Sequence, residues 1–130
     1  MSETEKPIET KRAEEFISLY ANNAQFEASV WDLKILFGQL DQALSVVDQH
    51  TAITMAWPHA KVAAYYMVVN LIIQQARNGH VDLPPSVVPP RPDPLDPALD
   101  EPSRKTAKYL AWVHDQFFSD TPFVPPDLEG

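Results

Sequence analysis

Three residues near the middle of this 130-residue chain have the types that acid–base or metal chemistry requires: Asp32, His59 and Lys61. A small hydrolase or a metal-dependent enzyme of unknown substrate could use such a set. Their spacing forms no catalytic pattern, and a solvated or helix-capping role suits His59 and Lys61 better. We therefore predict no catalytic residue and keep the enzyme as the alternative hypothesis.

Composition removes several classes of site. The chain has no cysteine, so disulfides, thiol catalysis and cysteine-based zinc or iron–sulfur sites are excluded. The four histidines show neither HxxxH nor HExxH spacing, and three glycines are too few for a glycine-rich phosphate loop. We predict no metal site and no bound cofactor.

Charge and hydropathy narrow the class of protein further. The formal net charge is -8, which argues against a broad nucleic-acid site. The small basic group of Arg104, Lys105 and Lys108 is predicted to be a solvated helix face. The polar N-terminus lacks the apolar stretch of a signal peptide, and the apolar run at 62–69 is too short to span a bilayer. These features predict a cytoplasmic protein with neither a membrane nor a nucleic-acid partner.

Alternation of apolar residues predicts a small antiparallel sheet. The first strand is predicted within 15–29, where Asn22-Asn23 could host a bulge or bend, and a turn is predicted at 29–32. The second strand is predicted over 32–40 and the third over 50–57. Residues 42–48, QALSVVD, either extend the second strand or connect it to the third. Short connections favour antiparallel neighbours, so we predict three to four strands.

A long helix is predicted from Pro58 to Gly79, because proline suits the first helical turn and glycine suits the residue after a helix. Its apolar residues form two stripes. The inner stripe, suited to the sheet, comprises Ala60, Ala64, Met67, Leu71 and Gln75. The outer stripe comprises Val62, Tyr65, Tyr66, Val69, Ile72 and Ile73. One sheet covers only about half of a helix, so the outer stripe needs another cover.

Three covers are available for the outer stripe: the proline-rich segment, the C-terminal helix or, as we predict, a second copy of the chain. Eight of the thirteen prolines lie between Pro84 and Pro102, which predicts an extended segment. That segment is either a stiff spacer or a strap docked on the apolar groove. Docking as a strap would use Val87, Val88 and Leu95. A third interpretation is recognition by an SH3-like partner, which would use Arg91 as the nearby cation.

A final amphipathic helix is predicted over 103–119. It packs on its own domain, swaps onto a neighbour or docks on another protein. The predicted domain organisation is a disordered leader at 1–14, an α+β core domain at 15–80, the proline-rich segment at 81–102, and the C-terminal helix and tail at 103–130.

The predicted oligomer or partner interface lies on the two helices. Asn70, inside VVNLII, is predicted either to face the rim of its helix or to meet a symmetry-related Asn70 and fix the register of a helix pair. The predicted interface residues are Tyr65, Tyr66, Val69, Asn70, Ile72, Ile73, Leu110, Trp112, Val113 and Phe117.

Several motifs resemble those of a family of small bacterial and archaeal proteins. They are YANNAQF, WDL with FGQL, and WPHAK leading into the long helix with its closing NG, all within residues 15–90. The family is known as a domain of unknown function, number 3467, so the resemblance implies membership and no activity. A weaker likeness, at the level of the fold, is to the tetrameric protein-export chaperone. That protein also has a small antiparallel sheet, a long helix between subunits and a segment similar to HVDLPPSVVPP, but such a likeness does not establish function.

The sequence thus predicts an α+β protein in which a small antiparallel sheet of three to four strands precedes one long helix, a proline-rich segment and a C-terminal amphipathic helix. It is expected to assemble as a homodimer or a higher homo-oligomer. The predicted function is non-catalytic protein binding or scaffolding, and its most concrete form is a chaperone-like role with a protein or peptide partner.

Overall fold

The computed structural model describes residues 6–119 and confirms the α+β fold. The predicted order of sheet, long helix, proline-rich segment and final helix is observed. Of the predicted leader, residues 1–5 lie outside the described residues, as does the predicted tail from 120 on. The elements are β1 (Asn23–Ala28), β2 (Asp32–Asp41), β3 (Val46–Ala56), α1 (Trp57–Asn78), a 3-10 turn (Pro85–Val87) and α2 (Glu101–Phe118).

The described residues divide into two compact units, and the division falls within α1, after Ala64. The sheet unit contains the three strands and the start of α1. The strap unit contains the rest of α1, the proline-rich segment and α2.

In the sheet, β2 is the central strand and is antiparallel to both neighbours. The register places Phe26 and Ile53 beside Ile35. Because alternate residues of a strand share a face, Leu33 and Phe37 lie on that face too, as the alternation predicts. Ile35 is buried, whereas Phe26 and Ile53 are exposed. The apolar face of the sheet is therefore buried at its centre and open towards both edges.

A bulge interrupts the pairing of β2 with β3. Phe37 pairs with Thr51, but the next residue, Gly38, pairs with Gln49, so His50 is the extra residue. The close approach of the strands here requires glycine, since a Cβ built on Gly38 would lie 2.7 Å from the main-chain oxygen of Asp48. Of the bulge or bend predicted at Asn22-Asn23, the structure shows a bend at Asn22, and the register shift lies in β3.

The first strand is shorter than predicted, because Asn22 ends its pairing with a side chain. Its Oδ1 accepts a hydrogen bond from the Leu40 N–H at 2.6 Å, and its Nδ2 donates to the Leu40 carbonyl at 3.3 Å. This amide replaces the main-chain pair that a longer strand would make. Residues 16–21 are therefore extended but lie outside the strand.

The connection between β2 and β3 settles the assignment of QALSVVD. Asp41 Oδ1 accepts hydrogen bonds from the N–H groups of Ala43 and Leu44, and Ser45 adopts a positive φ of 53°. Such a local turn starts the third strand at Val46, four residues before the predicted start at His50. The ambiguous residues thus form both the turn and the beginning of β3.

Both predicted ends of the long helix are confirmed to within one residue. Helix α1 begins at Trp57, directly before Pro58, and its last residue is Asn78. Gly79 follows with φ +92°, and its N–H donates to the carbonyl of Gln75 at 3.0 Å, which closes the helix as a C-terminal glycine does.

Helix α2 begins two residues before the predicted start at Ser103. The side chain of Asp100 caps it, accepting a hydrogen bond from the Ser103 N–H at 2.8 Å, and Pro102 occupies the first turn. Its buried residues are Ala107 and Ala111, so the helix packs through small side chains. Among its larger apolar residues, Leu110, Trp112 and Val113 are exposed.

Candidate binding surfaces

The outer stripe of α1 lies in solvent. Tyr65 is 63% exposed and Ile73 is 42% exposed, and Val69 is half-buried. No charged residue interrupts the stripe between Val62 and Ile73. Residues 6–119 therefore leave most of this apolar surface exposed. The remaining exposed members are Val62, Tyr66 and Ile72.

The inner stripe is less buried than predicted. Ala60 is the buried residue of α1, and Leu71 and Gln75 are half-buried. Met67, on the same stripe, is 70% exposed. The exposed apolar surface of α1 is thus larger than the outer stripe alone.

Asn70 lies at the margin of the outer stripe and is exposed. Its Nδ2 donates a hydrogen bond to the carbonyl of Tyr66, one turn earlier, at 2.7 Å. Within the single chain the amide thus has a partner and carries no burial cost. Its predicted meeting with a symmetry-related Asn70 stays a prediction.

The proline-rich segment folds back onto α2 of its own chain. The guanidinium of Arg91 donates two hydrogen bonds to the carboxylate of Asp115, at 2.9 and 3.1 Å. His114 Nε2 lies 2.7 Å from the carbonyl oxygen of Pro89. A paired, planar contact of this kind fixes both position and orientation. The segment is therefore a strap, and these two contacts are its polar anchors.

The contacts of the strap differ from those predicted. Val88 is half-buried, but Val87 and Leu95 are exposed, because polar anchors rather than a row of apolar side chains hold the segment. Arg91 is engaged by Asp115, so it is not a free cation for an SH3-like partner. A partner of that type would first have to break the ion pair.

The ion pair makes attachment of the strap sensitive to acid. The hydrogen bond from Arg91 lowers the pKa of Asp115 below its ordinary value, and the same bond raises the pKa of Arg91. A carboxylate whose pKa is lowered on folding stabilises the folded state above its unfolded pKa, and this contribution is lost as the pH falls through the folded value. The strap is thus fully anchored at neutral pH.

We expect Asp115→Asn to detach Arg91 at neutral pH. The Arg91 Nε–H signal in a nitrogen–proton NMR spectrum should lose its hydrogen-bonded shift, because the amide offers no charged bidentate acceptor. The wild type should show the same change only at a pH below the ordinary pKa of an aspartate, because the Arg91 hydrogen bond lowers the pKa of Asp115. Asp96→Asn, on the same strap, is the control and should leave the signal unchanged. An unaltered Arg91 signal in D115N would contradict the contact.

The outer face of α2 is a second exposed apolar surface. Leu110, Trp112 and Val113 are exposed, and Trp112 meets Tyr109 edge to face at 6.4 Å between ring centroids. Phe117 is half-buried beside Phe118. These are the α2 residues of the predicted interface.

The predicted basic face of α2 is exposed at Lys105 and Lys108 only. Arg104 is half-buried, and its guanidinium donates a hydrogen bond to the Leu99 carbonyl at 3.2 Å.

One exposed surface was missed by the sequence reasoning, namely the turn between β1 and β2. Val30 and Trp31 are 85% and 82% exposed there. Ser29 fixes the turn, because its Oγ accepts from the N–H groups of Trp31 and Asp32, both at 3.1 Å, and donates to Asp32 Oδ1 at 2.9 Å. The indole of Trp57 donates to the Ser29 carbonyl at 2.9 Å. The only sequence signal was a pair of large apolar residues inside a predicted turn.

Of the three candidate catalytic residues, Asp32 pairs with Ala56 at the end of β3 that leads into α1. The carboxylate of Asp32 accepts a hydrogen bond from the hydroxyl of Ser29. His59 and Lys61 are exposed at the start of α1. Within residues 6–119, no group of three or more His, Asp or Glu side chains is arranged to hold a metal ion. Neither helix of that range combines the length and hydropathy needed to cross a bilayer.

No family model matches the chain, and neither curated proteins nor solved structures give a significant match. The fold and the exposed surfaces therefore define a class only: a small α+β protein that presents apolar surface on α1, on α2 and at the turn of Val30 and Trp31.

Proposed function

We propose that this chain is a non-catalytic protein of the cytoplasm that binds or scaffolds other proteins and assembles as a homo-oligomer. The observation that carries the proposal is the exposed outer stripe of α1. Contiguous apolar surface on a protein in water marks an interaction site or leads to aggregation.

A second copy of the chain is the simplest cover for the outer stripe. Val62, Tyr65, Val69 and Ile72 alternate steps of three and four residues, which is the spacing of a seam between two helices. Full burial of such side chains contributes about 1.5–3 kcal/mol each. The stripe carries no charge, so two copies can meet along it without repulsion despite the net charge of -8.

A chaperone-like role is the most concrete form of the proposed function. Phe26 is exposed at the β1 edge of the apolar sheet face and is not part of the outer stripe. Extended apolar segments of other proteins bind to surfaces of this type. We also propose that the chain belongs to the family known as domain of unknown function number 3467.

Light scattering across a dilution series tests the assembly. We expect a mass of at least twice 14.6 kDa at micromolar concentration, falling only on further dilution. A compact monomer at micromolar concentration would contradict the homo-oligomer. Capture of an unfolded model protein by the assembled chain, with no turnover of generic esterase or phosphatase substrates, would then support protein binding over an enzyme.

A further inference from the structure

The apolar face of the sheet unit carries a groove of about 310 Å³. One wall is the extended segment 17–21, and the other includes Phe37 and Ile53. Side chains of the sheet hold the segment in place: His50 Nε2 lies 3.0 Å from the Tyr20 carbonyl oxygen, and Gln39 Nε2 donates to the same oxygen at 3.4 Å. The groove is thus part of the folded unit.

The groove and the turn of Val30 and Trp31 are complementary in chemistry. A volume of about 310 Å³ is at the lower end of pockets that hold small ligands, and one indole side chain fits such a space. The residues that line it are apolar apart from His50 and Thr51, so it favours an uncharged aromatic group. Tryptophan side chains that become buried in apolar pockets are frequent hot spots of protein interfaces.

We propose that Trp31 of one copy inserts into the groove of a second copy, while Trp31 of that copy inserts into the groove of the first. The proposal rests on the proposed homo-oligomer and specifies one of its contacts. Because the same unit carries both the tryptophan and the groove, a two-fold dimer would form this contact twice. The most exposed tryptophan of the chain is buried in the same step.

Two variants test the two halves of the contact. Trp31→Ala removes the inserted side chain, and Ala21→Phe fills the groove from its wall. Each should raise the dissociation constant of the dimer, roughly 100-fold for W31A and at least tenfold for A21F, as measured by light scattering on dilution. Circular dichroism establishes that each variant is folded.

Each variant has a matched control elsewhere on the sheet unit. Leu44→Ala removes an exposed apolar side chain from the other hairpin turn, and Ala52→Phe adds a ring at an exposed position outside the groove lining. Both controls should keep the wild-type dissociation constant. A loss in L44A equal to that in W31A would overturn the assignment to Trp31.

Mixing the two variants gives a test that a folding defect cannot imitate. W31A keeps an open groove and A21F keeps its Trp31, so one complete contact forms in a mixed dimer. The mixture should therefore assemble at concentrations where each variant alone is monomeric. Absence of mixed dimers would overturn the proposal.

Fluorine NMR of the chain labelled with 5-fluorotryptophan reports the burial of Trp31 directly. The signal that is missing in Trp31→Phe belongs to Trp31, and it should move towards a solvent-exposed shift as wild-type protein is diluted. A wild-type chain that is monomeric overturns the homo-oligomer and this contact together. A wild type that assembles with Trp31 exposed overturns the Trp31 contact alone.

Discussion

Ile73→Asp is expected to convert the assembled protein into a monomer. Ile73 is an exposed member of the uncharged outer stripe. If a second copy covers the stripe of the variant, the new carboxylate must be buried without a cation, which is costly. We expect a loss of about 4 kcal/mol or more for each dimer, which is a rise of about 1,000-fold in the dissociation constant. Light scattering of the variant and the wild type at equal concentrations measures it.

The neighbouring residue provides the matched control. Gln74 is exposed on the same helix but lies outside the outer stripe, so Gln74→Asp adds the same charge one residue away without entering the proposed seam. It should leave the mass unchanged. If I73D and Q74D assemble as the wild type does, α1 is not the interface and the proposal loses its main support.

Gly38→Val is expected to destabilise the sheet unit by about 3 kcal/mol or more. A Cβ at this position would lie 2.7 Å from the main-chain oxygen of Asp48 and 3.0 Å from a methyl group of Val47. Main-chain atoms cannot move aside as a flexible side chain does, so the β2–β3 pairing at the bulge must open. Urea unfolding followed by circular dichroism at a fixed protein concentration measures the loss.

Thr54→Val is the control for that experiment. Thr54 is exposed on β3, where it pairs with Lys34. Valine favours strands, so the variant should be about as stable as the wild type. Equal stability of G38V and T54V would contradict the tight approach of β2 and β3.

The elements of this fold follow from local patterns. Alternating apolar residues such as Leu33, Ile35 and Phe37 predicted β2, and Pro58 with Gly79 predicted both ends of α1 to within one residue. The prediction was weaker at 16–22. There the alternation continues, but the Asn22 side chain bonds Leu40, eighteen residues away, and ends the strand. A hydrogen bond to a distant partner has no period in the sequence.

The exposed apolar surfaces were also predicted from the sequence only in part. The six residues of the outer stripe were found from helical spacing alone, because spacing fixes which side chains share a face of a helix. Spacing gave no means to see that Trp31 is exposed on a turn fixed by Ser29, since that depends on the hydroxyl geometry of one residue and the indole of Trp57.

By itself, the sequence determined the α+β class, the order of the elements and an apolar circumference on α1 too wide for one sheet. Tertiary structure decided that the strap is held on α2 by Arg91 and Asp115, that the bulge lies at His50 and that the groove exists. The physical reason is the range of the forces. Hydrophobic periodicity and helix-ending residues depend on neighbours within a few positions in the sequence. Ion pairs, bulges and grooves join residues far apart in the sequence, which come together only when the chain folds.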